Sequence, residues 1–89
     1  MKEKLDYKKF NSNSDIESIK DDQWKEAFQK FRDSMKSGGC TVGEDYYIEV
    51  WFEDFQMKIH VECMNENAKD VENLYKFEMA LLSIPVIIV

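Results

Sequence analysis

The sequence predicts an α+β domain in which the elements follow the order β-α-β-β-α-β, and three observations lead there. Residues 46–63 alternate apolar and polar side chains in two successive runs, the pattern of two half-buried strands. Two longer stretches, about 14–36 and 67–82, repeat apolar residues at helical spacing. The chain then reaches Val86-Ile87-Ile88-Val89, β-branched on both faces, as in a covered strand.

The first strand is expected around residues 4–9, where Lys4, Asp6 and Lys8 alternate loosely with Leu5 and Tyr7. Asn11-Ser12-Asn13-Ser14 breaks it. Ser14 followed by Glu17 forms a capping box, so the first helix is expected to begin there. From Trp24 through Ala27, Phe28, Phe31 and Met35 the apolar residues occupy one helical face. The wider gap between Ile19 and Trp24, filled by Asp21-Asp22, suggests a kink or a restart near Lys20. Gly38-Gly39 ends the helix.

The hairpin comes next. Ile48, Val50, Met57 and Ile59 point to a core, while Tyr47, Glu49, Trp51 and Glu53 point away from it, with Lys58, His60 and Glu62. A two-residue turn at Glu53-Asp54 pairs Phe52 with Phe55; a four-residue loop pairs Trp51 with Lys58 instead. Asn65 or Asn67 caps the second helix. Ala68, Val71, Leu74, Tyr75, Leu81 and Leu82 are its expected buried stripe, with Phe77 and Met79 flanking, and Pro85 ends it.

This order is the split, ferredoxin-like arrangement, with both helices on one face of a four-stranded antiparallel sheet. It places the first strand and the hairpin's second strand in the centre and the hairpin's first strand at an edge. The apolar last strand then lies at the other edge, where it needs a cover. A chain without a first strand, α-β-β-α-β with an N-terminal arm, is the alternative.

Composition narrows the function classes. The 89 residues suit one domain (residues 1–89), and 44% hydrophobic content supplies a single core. A net charge of −6 opposes binding to nucleic acid or anionic membrane. The apolar runs near the C-terminus are broken by Ser83 and Pro85 and fall short of a bilayer span. Cys40 and Cys63 are too few for a disulfide scaffold and suit a reducing, cytoplasmic setting.

Catalytic and metal chemistry find little support. His60 and Cys63 lie three apart on a strand and face opposite ways, so they make no metal pair, and no cofactor is expected. Cys40 sits beside Glu44 and Asp45, which raise rather than lower a thiol pKa, and it is expected to be accessible while Cys63 is buried. The paired acids Asp21-Asp22, Glu44-Asp45 and Glu53-Asp54 lack an apolar pocket around them. Gly38-Gly39 to Gly43 follows a helix and carries no lysine, unlike a phosphate loop.

Charge placement is the remaining feature. Residues 44–66 hold seven acids against Lys58 alone, a segment charge of −6 that equals the charge of the whole chain. Acids that guard an exposed sheet edge would explain Glu49 without any partner. They explain solvent-facing Trp51 and Tyr47 less well, because large exposed aromatics among polar groups mark interaction surfaces. The expected function is non-enzymatic: an inhibitor-like or immunity-like module, or an acidic mimic, binding a basic protein surface. The contact residues would be Tyr47, Glu49, Trp51, Glu53, Asp54, Lys58, His60 and Glu62. The alternative is a homodimeric ligand-binding or regulatory domain that pairs through its sheet.

Overall fold

The computed structural model describes residues 7–54, 56–68 and 71–84. Strand β1 (Tyr7–Phe10) leads through α1 (Asn13–Glu17) and α2 (Asp22–Ser37) to β2 (Tyr46–Glu53) and β3 (Gln56–Cys63). A short 3₁₀ turn (Glu66–Ala68) precedes α3 (Val71–Leu82). The class is α+β: the described residues form three antiparallel strands in the order β1-β2-β3, with the helices packed against one face.

That order corrects the ferredoxin-like expectation. The hairpin's first strand, β2, is central, and β1 pairs with it rather than with β3. The connection between β1 and β2 supplies the physical reason. A single crossover helix returns the chain parallel to the strand it left. Here the break at residues 18–21 divides the connection into α1 and α2, adding a change of direction, and β2 comes back antiparallel beside β1. The strand at Tyr7–Phe10 equally overturns the alternative of an N-terminal arm. The expected last strand, residues 86–89, lies outside the described residues, as do residues 4–6 of the expected first strand.

Local chemistry fixes the helix ends. The N-cap sits two positions earlier than expected, at Ser12 rather than Ser14. Ser12 Oγ accepts from the Asp15 amide at 3.1 Å, and Asp15 Oδ2 accepts from the Asn11 amide at 3.0 Å. Glu17 instead accepts from Arg32 Nη1 at 3.1 Å and ties α1 to α2. The restart expected near Lys20 is present, with Asp21 Oδ1 capping the Gln23 and Trp24 amides. Gly43 adopts φ +92°, and a side chain there would run into the Asn11 carbonyl, so only glycine fits.

Aromatic contacts join the layers. Phe10 of β1 meets Phe28 of α2 at 4.6 Å between ring centres, and Phe28 meets Phe77 of α3 at 5.1 Å. Phe31 stacks on Phe77 at 4.3 Å and takes Tyr46 of β2 edge-on at 5.5 Å. The wedge of Phe77 between Phe28 and Phe31 also fixes the rotation of α3. Among the described side chains its buried stripe is therefore Phe77 and Leu81, with Leu74 partly buried, while Tyr75, Met79 and Leu82 face outward; the side chain of Val71 lies outside the described residues. The expectation that Tyr75 and Leu82 are buried and Phe77 merely flanks them is corrected. The sequence alone offers two apolar stripes on this helix and does not say which one faces the core.

The hairpin register is that of the four-residue alternative, with Trp51 opposite Lys58 and Val50 opposite Ile59, closed by one more pair, Glu53 with Gln56. The Glu53-Asp54 turn and its Phe52–Phe55 pairing are corrected accordingly. Asp54 takes φ +52°, a conformation aspartate tolerates better than most residues. Ile48 and Val50 are fully buried on the inner face, whereas Ile59 and Val61 on β3 are half-buried.

Candidate functional site

Among the described residues the helices lie on one side and the other face of the sheet is open, and its composition follows from the alternation and the register. Directly opposed residues share a face, so the register builds rows across the three strands. One row runs Tyr7, Trp51, Lys58 and the next runs Lys9, Glu49, His60. Tyr47 faces Glu62, and Glu53 faces Gln56. Seven of the eight residues expected to contact a partner thus lie on one continuous surface, and Asp54 is at its rim in the turn.

Two members were not anticipated. β1 adds Tyr7, 55% exposed, and Lys9. Parity carries the available signal: Tyr7 and Phe10 differ by three along a strand, so only one of them can point to the core, and Phe10 does. The lysine is not idle. Lys9 Nζ lies 3.9 Å from the centre of the Tyr47 ring, a cation–π contact across the strands.

Polar contacts link neighbours along β2 and β3 on this face. Trp51 Nε1 donates to Glu53 Oε2 at 3.3 Å, which leaves the indole standing on the strand with one edge engaged. His60 Nε2 lies 2.7 Å from Glu62 Oε2, and Lys58 Nζ donates to Gln56 Oε1 at 3.4 Å. Trp51, Tyr47 and Glu49 on the central strand are half-buried, and the β3 residues are exposed. Both phenols, Tyr7 and Tyr47, are held above their ordinary range, by desolvation first and then by the Glu49 carboxylate.

Because β2 is central, guarding an edge no longer accounts for Glu49. Glu49 stands between Lys9 and His60, in the middle of the sheet. Asp45 has a different role from its acidic neighbours. Its Oδ2 accepts from the Thr41 amide at 2.6 Å, its carbonyl accepts from the Met64 amide at 2.7 Å, and its Oδ1 takes the Asn65 side-chain amide. It fastens the loop before β2 to the chain leaving β3. Asn65 also accepts from the Ala68 amide at 3.2 Å, capping the 3₁₀ turn rather than α3 directly.

The cysteines exchange roles relative to expectation. Cys40 is only 3% exposed, because its amide donates back to the Met35 carbonyl at 2.9 Å and draws the loop onto the end of α2. Cys63 is half-buried, its thiol donating to the Ala68 carbonyl at 3.2 Å. Among the described residues no three His, Cys, Asp or Glu side chains gather to hold a metal ion, and no helix is long and apolar enough to cross a membrane. A shallow groove of about 240 Å³ lies between α2 and α3, with Phe31 and Phe77 on its floor and Lys30 and Lys76 at its rim. Each lysine already pairs with a glutamate one turn earlier.

In comparisons with known proteins, the chain matches no family model, no curated protein and no solved structure.

Proposed function

We propose that this chain is a non-enzymatic interaction module that binds a basic surface of another protein through its open sheet face. The observation that carries the reading is the position of Trp51. It sits half-exposed on the central strand, with Tyr7 and Lys58 across from it and Glu49 and Glu53 on either side along the strand. A large aromatic anchor in the middle of a surface, ringed by charged groups, is the arrangement that concentrates binding energy at protein interfaces. Glu49, Glu53, Glu62 and, at the rim, Asp54 outnumber Lys9 and Lys58, so the face favours cationic partners.

The same mixture of charges supports a second reading, in which two copies bury their open faces against each other with Trp51 between them. An affinity capture from an extract of the native cell separates the two. A heterologous partner should be retained by the parent and lost by both Trp51→Ala and the double variant Glu49→Lys, Glu53→Lys. If nothing is retained and Trp51→Ala converts a dimer to a monomer in sedimentation, the homodimeric reading replaces the first.

A further inference from the structure

We infer that β3 is a self-complementary edge through which two copies of this chain join their sheets into one, leaving both open faces exposed. The inference is independent of what the open face binds. Among the described residues β3 has no strand on its outer side. The ladder parity shows which backbone groups face outward. The Met64 amide donates to the Asp45 carbonyl, whereas the Tyr46 carbonyl turns away from β3 to accept from Gly43. Alternation along the ladder then directs the backbone groups of Lys58, His60 and Glu62 at β2 and those of Met57, Ile59 and Val61 outward.

A second β3 can meet those groups antiparallel about a two-fold axis at His60. Ile59 of each copy then exchanges backbone hydrogen bonds with Val61 of the other, and the helices of both copies lie on the same side. The side chains agree with this register on both faces. On the outer face Lys58 of each copy faces Glu62 of the other, which gives two opposite-charge pairs. On the inner face Ile59 covers Val61, and both are half-buried in the single chain, where the helices leave this strand incompletely covered. Slipping the register by two residues loses the match. One direction sets Lys58 against His60, and the other sets it against Met64.

The test is sedimentation equilibrium on the full chain over a wide concentration range, with Lys58→Glu, Glu62→Lys and the exchange variant carrying both. The parent should dimerise. Each single reversal should move the monomer–dimer midpoint about tenfold or more to higher concentration, since it turns two attractive cross-strand pairs into two repulsive ones. The exchange variant should restore the parent's midpoint, a rescue that loss of fold would not produce. Amide exchange supplies a second readout: Ile59 and Val61 should gain protection as concentration rises. A parent that stays monomeric overturns the inference. So does protection of those amides in the monomer, which would mean that the chain covers its own edge. A dimer abolished by Trp51→Ala but indifferent to the reversals also overturns it.

Discussion

Tyr7 on β1 lies directly across from Trp51 on β2, so the aromatic centre of the open face is assembled from the two ends of the connection that contains α1 and α2. The face therefore depends on the fold twice. The hairpin provides Trp51, Tyr47 and the carboxylates, and the antiparallel return beside β1 provides Tyr7 and Lys9.

Core substitutions should separate the two hairpin strands. Ile48→Ala removes a fully buried side chain and is expected to cost about 2–5 kcal/mol by urea denaturation. Ile59→Ala, at a half-buried site on β3, should cost roughly 1–2 kcal/mol. Equal costs would contradict the central placement of β2.

Thiol accessibility should follow burial rather than loop position. In the folded protein Cys63 should react with a thiol reagent before Cys40, and denaturant should equalise them. A faster Cys40 would mean that the loop after α2 does not hold its place against the core.

Tyr46 links structure to alkaline stability. It is fully buried, its hydroxyl has no hydrogen-bond partner among the described residues, and burial pushes its pKa up from 10 to about 12, with Arg32 opposing. The folded state thus keeps a proton that the unfolded state releases. This contribution is intact below pH 10 and falls away between pH 10 and about 12, by on the order of 2–3 kcal/mol. Tyr46→Phe should remove that component and leave stability at pH 7 unchanged or slightly raised, because no hydrogen bond is lost. Denaturation curves of both proteins at pH 7 and pH 11 check it. A Tyr46→Phe protein that is much weaker at pH 7 would show that the hydroxyl has a partner.

The hairpin faces were legible in the sequence because a period of two admits only two assignments, and the buried set of Tyr46, Ile48 and Val50 chooses one. The face of α2 from Trp24 to Met35 was equally clear, as was its restart at Asp21. Strand order was not. It depends on which way the broken connection turns the chain, and no residue pattern within 11–45 encodes that direction. The rotation of α3 escaped for a similar reason: Leu74, Phe77 and Leu81 form one stripe, Tyr75, Met79 and Leu82 another, and the choice is made by Phe28 and Phe31 on a different element. Tyr7 and Lys9 joined the open face only once β1 was seen beside β2.

The most direct test of the central claim is the affinity of a captured partner for Trp51→Ala against the parent, measured by calorimetry. The account predicts a loss of about 2 kcal/mol or more, roughly thirtyfold in Kd, with Asp33→Lys and Glu78→Lys on the helical side changing it little. Unchanged affinity for Trp51→Ala together with weakened binding by the helical variants would contradict it and move the binding surface to the other side of the molecule.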